Sequence, residues 1–381
     1  MKYLFVAPST NANTNVPNIG LASLAASLKE LGNEVKVIDQ ETYRFPKDRF
    51  LSEKCDYFGV SVKSNTYYES QRITKLYRDK YPFSFIGWGG PQVTYCLNRC
   101  KENKEVNEFI VGNAEYLDGR KFDINKIPFP DYSSFDSFEY WKNQWQKGAK
   151  YPIVSSRGCS WGKCTFCCCG TGVHIRTADN VVKELEFAKD NYGIKTFNFM
   201  DDNVAVSKKR LLEICEGVKN LNLSWTCING IRADCFDEDI AIKMKESGCF
   251  FVSFGIESSN NNVLTEINKG ETIEEIESAV KIAKKYFRVN GYFIIGLPGS
   301  NYETDFESWN WSKKMGINSH FSILVPMEGT ELYTKYRDNI INDPYESLFY
   351  KPDEVPIVSY ETKEYPREER IKLYKTIRGL C

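Results

Sequence analysis

Histidine is nearly missing from this sequence: 381 residues contain two, His174 and His320. The stretch before His174 therefore offers no imidazole to a metal or a reaction. An excess of charge is missing as well. Fifty Lys+Arg against 51 Asp+Glu leave a net charge of −1, so no long-range field favours DNA, RNA or an anionic membrane. No uninterrupted apolar run approaches the ~18–20 residues that span a bilayer. The opening MKYLFVAPST has one Lys and turns polar before an apolar segment of secretory length forms. It reads as a first strand, not a signal. Repeats and low-complexity tracts are absent too. These absences predict a cytoplasmic chain with no nucleic-acid or membrane partner. What is present, 42% hydrophobic and 27% charged residues, is an ordinary globular composition long enough for two or three domains.

Cysteine is plentiful. Thirteen is an odd count, and a cytosolic chain of this size has no need of disulfides. Eight are scattered without recognisable spacing, and Cys55, Cys215, Cys227, Cys235 and Cys249 read as small core hydrophobes. The other five crowd into RGCSWGKCTFCCCG. Cys159, Cys164 and Cys167 suit three irons of a [4Fe–4S] cluster, which leaves the fourth iron free for another ligand. A zinc site would want four closed ligands, with Cys168 or Cys169 as the fourth. Redox-sensitive thiols are the third reading.

Strand and helix signals alternate through the first ~100 residues. KYLFVAP, EVKVID, YFGVSV, FSFIGWGG and EFIVG read as strands. GLASLAASLKELG and residues 67–80 read as helices, with Gly32 ending the first. Strict alternation predicts a parallel sheet covered on both faces. Ligands on such sheets bind beyond the carboxyl ends of the strands. Here those ends are the loops 9–18, 61–65 and 87–94. Residues 116–150 lack periodicity and read as a connector. From Pro152 the alternation resumes with PIVSS, KTFNFM, SWTCI, FFVSFGI, GYFIIG and HFSILV separated by helical segments. The segment after 325 is expected to supply the sixth helix. Six such units make a partial barrel whose chemistry belongs at the carboxyl ends of its strands.

Several runs, taken in order, resemble the radical S-adenosylmethionine (SAM) superfamily. The cysteine loop follows the first strand of the second segment. FNFMDDN, FGIESSNNNVLTEINKGET, YFIIGLPGSNYET and PMEGTELY resemble the family's segments after the second, fourth, fifth and sixth strands. NIGLASLAASLKELGNEVKVID, FGVSVKSN and GWGGPQVT resemble the N-terminal cobalamin-binding-like domain of one subgroup. The resemblance covers roughly residues 1–335. It departs from the pattern in one place: four residues, Ser160–Lys163, separate the first two cysteines where three are usual. Gly162 relaxes that loop.

The resemblance implies an α/β chain. A Rossmann-like domain (1–115) and a connector (116–150) precede a (β/α)6 partial barrel (151–335) and a short C-terminal tail (336–381). It implies a [4Fe–4S] cluster on Cys159, Cys164 and Cys167, with SAM chelated to the open iron and cleaved reductively to a 5′-deoxyadenosyl radical. Phe166, Asp201, Asp202, Arg232, Glu257, Lys269, Gly296, Leu297 and Pro298 are the candidate SAM residues. Acids would meet the ammonium or ribose and cations the carboxylate. Ser61, Ser64, Gly89 and Gly90 are the candidate cobalamin residues, with no lower histidine ligand from this domain. His174, Cys168 and Cys169 are candidates for catalysis, while His320 and Cys381 carry weaker expectations. The implied activity is cobalamin-dependent methylation of an unactivated carbon in a small molecule or peptide. Electrons would come from a donor such as flavodoxin or ferredoxin. The alternatives are cobalamin-independent cyclisation, rearrangement or oxidation with a vestigial first domain, and, more remotely, a non-catalytic metal-binding module.

Overall fold

The computed structural model describes residues 1–9, 16–40, 42, 46–112, 123–169, 172–348 and 354–379. Most of the 9–18 loop and Cys381 lie outside the described residues. The chain folds as two units, Met1–Ala149 and Lys150–Cys381.

The first unit begins with β1 (Lys2–Ala7), α1 (Ile19–Glu30) and β2 (Glu34–Asp39), followed by β3 (Tyr57–Ser61), α2 (Tyr67–Lys80) and β4 (Phe85–Gly89). Two short helices, α3 (Pro91–Tyr95) and α4 (Leu97–Cys100), lead to the edge strand β5 (Glu108–Phe109). The strands pair in the order β2-β1-β3-β4-β5, all parallel. Continuous apolar runs explain the strands: Leu4, Phe5, Val6 and Ala7 are all buried, as both faces of a covered parallel sheet require. Asn18 caps α1 by accepting the Leu21 N–H at 3.0 Å. The fifth strand is shorter than EFIVG suggests, and Gly112, at φ +81°, turns the chain away.

Residues from 123 onward belong to this unit rather than hanging between two domains. Asp39 is fully buried and accepts bonds from Ser137 Oγ at 3.0 Å and Trp141 Nε1 at 2.7 Å. Trp141 and Trp145 lie on α5 (Phe138–Gln146) and are buried with it.

The second unit opens with β6 (Lys150–Ile153). A small ladder of β7 (Ser156–Arg157) and β8 (His174–Ile175) then flanks the cysteine loop. The repeat continues through α6 (Ala178–Tyr192), β9 (Thr196–Phe199), α7 (Lys208–Lys219), β10 (Ser224–Ile231), α8 (Glu238–Glu246) and β11 (Cys249–Glu257). Next come α9 (Asn261–Glu266), α10 (Ile273–Lys284), β12 (Arg288–Ile295), α11 (Tyr302–Met315) and β13 (Asn318–Ile323). The strand order β13-β12-β11-β10-β9-β6 makes an all-parallel six-stranded sheet. Among the described residues its two edge strands do not pair with each other. The sixth helix is not adjacent in sequence. After β13 comes only the five-residue α12 (Glu331–Lys335). The helix that packs on β13 and α11 is α13 (Arg367–Arg378), from the C-terminal segment.

Candidate active site

The cysteine loop leaves the sheet just beyond β6, and buried polar groups set its starting direction. Asp201, 2% exposed at the end of β9, accepts from the Ser155 N–H at 2.7 Å and from the Ser155 and Ser156 hydroxyls. Arg210 donates to the Ser155 carbonyl at 2.9 Å. These bonds take Ser155 out of the strand ladder and turn the chain. Burial pushes the Asp201 carboxyl up from its usual range, against the pull of the Ser155 bonds. Asp202 accepts the Gly158 N–H at 2.8 Å. Gly158 has φ +92°, and a Cβ there would lie 2.3 Å from the Gly172 carbonyl oxygen, so only glycine fits. Of the two acids expected near SAM, Asp201 is fully engaged in shaping the loop, and Asp202 holds the loop's first residue.

Along the loop, Cys159 and Cys164 are partly covered and Cys167 is exposed. The Thr165 N–H donates to the Ile267 carbonyl at 3.0 Å, and the Leu332 N–H donates to the Thr165 carbonyl at 2.8 Å. Burial pushes the Cys164 thiol up to about 11, although Lys269 and Arg232 nearby oppose this. Hydrogen bonds from Cys169 pull the Cys167 thiol below its ordinary value. Cys169 thus serves Cys167, its N–H lying 3.3 Å from the Cys167 sulfur. Cys168 turns away toward the Glu328 carbonyl. Phe166 is half-buried. Every cysteine among the described residues is a free thiol.

Cations and carboxylates gather beside Cys164. Glu257 ends β11 with φ +67°, a left-handed backbone uncommon outside glycine. Its Oε1 accepts from Lys269 Nζ at 3.2 Å. Lys269 is 5% exposed and lies 3.3 Å from Glu271 Oε2. Burial works against the ammonium, but Glu257 and Glu271 outweigh it and hold Lys269 above its ordinary value. Arg232 forks onto Asp234 at 3.0 and 2.8 Å and donates to the Lys269 carbonyl at 3.0 Å. Glu271 and Asp234 were not singled out from the sequence, although each stands two residues after a cation that was. Glu271 Oε2 has two cations near it yet accepts no hydrogen bond.

Gly296, after β12, donates its N–H to Asp305 Oδ2 at 2.8 Å and has φ +85°. A Cβ there would lie 2.6 Å from Arg370 Nη1. Arg370, on α13, is buried, bonds the carbonyls of Tyr360 and Tyr365, and faces both rings at 4.6 and 4.9 Å. Leu297 is buried and Pro298 follows in the same turn. Burial pushes Asp305 up to about 7.

The remaining candidates are dispersed. His174 is exposed in the small β7–β8 ladder. His320 is exposed on β13 and meets the Tyr292 ring edge-on at 6.1 Å. In the first unit, Ser61 accepts from Asn18 at 3.2 Å and Ser64 donates to Gln92 at 2.8 Å. Gly90, at φ +102°, packs against the Val62 carbonyl, so the turn itself requires glycine there. At Gly89 a side chain would meet nothing closer than 3.7 Å.

A three-cysteine loop beyond the first strand of an open parallel sheet, with a buried Lys–Glu network beside it, defines a class of radical-initiating enzymes. Residues 153–307 match the family model of the radical SAM superfamily. A match to that model implies a [4Fe–4S] cluster and SAM as cofactors. The chain is similar to an uncharacterized methyltransferase of Pyrococcus horikoshii, at 29% identity over 87% of this chain and 82% of that one. It is also similar to the cytidylyl-2-hydroxyethylphosphonate methyltransferase of Streptomyces wedmorensis, at 30% identity over 60% of this chain and 46% of the relative. In fold it resembles the radical SAM methyltransferase TsrM of Kitasatospora setae, with a TM-score of 0.74 and 17% identity over 88% of this chain and 78% of that one. It also resembles the cobalamin-dependent SAM radical enzyme OxsB, with a TM-score of 0.66 and 17% identity over 99% and 61% of the two chains.

Proposed function

We propose that this chain is a cobalamin-dependent radical SAM methyltransferase acting on an unactivated carbon of a small molecule or peptide. The observation that carries the reading is the match along most of both chains to a relative named a methyltransferase. The TsrM and OxsB structures were solved with cobalamin bound. They support the reading through the fold they share with both units of this chain.

Cys159, Cys164 and Cys167 would hold the cluster: three free thiols on one loop. When bound, cluster and SAM together supply a carbon-centred radical that abstracts hydrogen. The residues do the placing. Asp202 and the Asp201–Arg210 frame hold the loop. Lys269, paired with Glu257 and Glu271, would meet the SAM carboxylate, and Glu257 would meet its ammonium or ribose. The Gly296–Pro298 turn would offer its backbone to the adenine. Ser61, Ser64, Gly89 and Gly90 stand at the carboxyl edge of the first sheet, where a ligand of such a sheet binds. Gly89 leaves room there.

Among the described residues no helix is long and apolar enough to cross a membrane. The free thiols fit a cytoplasmic setting. A low-potential donor such as flavodoxin or ferredoxin would supply the electron.

The test is anaerobic reconstitution with iron, sulfide and hydroxocobalamin, followed by metal analysis. About four irons and about one cobalt per chain, with methylated product, are expected. Iron without cobalt would remove the methyltransferase assignment. The triple Cys159→Ala, Cys164→Ala, Cys167→Ala variant should lose the ~410 nm absorbance and all SAM cleavage. Cys168→Ser and Cys169→Ser should keep the iron.

A further inference from the structure

The spacing between Cys159 and Cys164 carries one residue more than its family usually has, and Trp161 stands in that stretch. The Trp161 indole N–H donates to the Asn268 carbonyl at 2.8 Å. Its ring fills the space over Gly270, where a Cβ would lie 2.3 Å from Cζ2. Two cations approach the same ring, Lys163 at 4.9 Å and Arg232 at 5.2 Å from its centroid. Arg232 in turn donates to the carbonyls of Lys269 and Gly270. Indole and guanidinium therefore grip the 268–270 segment together.

That segment needs such a grip. Asn268 and Gly270 have φ of +50° and +67°, so Lys269 sits between two left-handed residues that no strand or helix ladder can hold. Its own hydrogen bonds are few. The Lys269 N–H reaches the Leu264 carbonyl, and its ammonium meets Glu257. The Thr165 bond to Ile267 is the other tie between this segment and the cysteine loop.

We propose that Trp161 is a positioning residue that latches the cysteine loop to the 268–270 segment and so fixes Lys269 where the SAM carboxylate binds. The extra loop residue is then a device for delivering the indole, and Gly270 is the counterpart it requires. The proposal rests on the radical SAM reading of the site. It makes cluster loop and carboxylate site one mechanical piece, so that binding SAM and ordering the loop stabilise each other.

The test compares wild type, W161F, W161A and G270A, all reconstituted anaerobically with iron and sulfide. Reductive SAM cleavage is followed against SAM concentration. In W161A and G270A the expected result is a full complement of iron and a KM for SAM raised about tenfold, the scale of a lost indole hydrogen bond plus cation–π contact. The kcat should change far less than the KM. W161F keeps an aromatic ring and loses only the N–H, and should fall between. A wild-type KM in W161A would overturn the latch. So would an equal loss of iron in W161A and W161F, which would mark Trp161 as a residue of cluster-loop folding alone. Wild-type protein that binds iron yet cleaves no SAM would overturn the functional reading, and the latch with it.

Discussion

One ammonium stands between two carboxylates at the heart of the second unit, and that imbalance decides how Lys269 responds to change. Glu271 is wholly buried and Glu257 nearly so. Lys269→Met would take that cation from both and, among the ion pairs of the described residues, leave Glu271 with Arg232 at 3.6 Å and Glu257 with none. Breaking a buried pair from one side costs about 3–5 kcal/mol. Lys269→Met should therefore lower the chemical-unfolding midpoint of the cofactor-free protein, beyond any loss of SAM binding. An unchanged midpoint would show that the two carboxylates do not depend on this cation. Asp201 teaches the opposite lesson at the same scale. Its place at a strand end was legible in FNFMDDN, but its occupation was not. The two serines that consume its carboxylate lie far earlier in the chain, and no local pattern marks a hydroxyl as the partner of a distant acid.

Between elements, the C-terminal helix and the turn after β12 form one device. Asp305 holds the Gly296 N–H, Arg370 packs on the Gly296 Cα, and Tyr365 lies against Arg370. Because burial raises Asp305 to about 7, the folded state holds a proton that the unfolded state releases near its ordinary value of 3.8. Its contribution to stability is therefore full below about pH 4 and fades as the pH rises through about 7. Asp305→Asn removes that titration. The melting temperature of the variant, measured relative to wild type, should rise between pH 5 and pH 8. A pH-independent difference would show that Asp305 does not titrate there. The helices with apolar stripes, such as α2 and α10, were legible because their buried residues recur at helical spacing. The sixth helix was expected from the segment after 325, where α13 lies, but its place within that segment was not legible. Its buried face consists of Arg370, Leu373 and Tyr374, and an arginine in the stripe hides the periodicity that sequence reading relies on.

On the scale of the whole molecule, each unit has its own polar keystone. In the first it is Asp39, which ties α5 and its two tryptophans to the end of β2. Asp39→Ala would strand the Ser137 hydroxyl and the Trp141 indole as buried donors, at about 1–3 kcal/mol each. Residues 123–146 should then become sensitive to protease while the cluster absorbance of the second unit survives. Loss of both together would show that the units fold as one. That segment read as a connector because aromatics and prolines without periodicity resemble a linker. Its contacts, the buried Asp39 and the Lys29–Asp131 and Arg49–Asp136 pairs among them, make it a wall of the first unit.

The placement of Arg370 also bears on how the chain is made. A ribosome delivers the Gly296 turn long before it delivers the arginine that packs against it. Until that residue is made, β13 lacks the packing of α13 and Asp305 lacks its buried cation. The surface that would receive the adenine is thus finished only after translation has passed residue 370. The adenine surface would therefore be complete only once this helix has docked and the turn it braces has set.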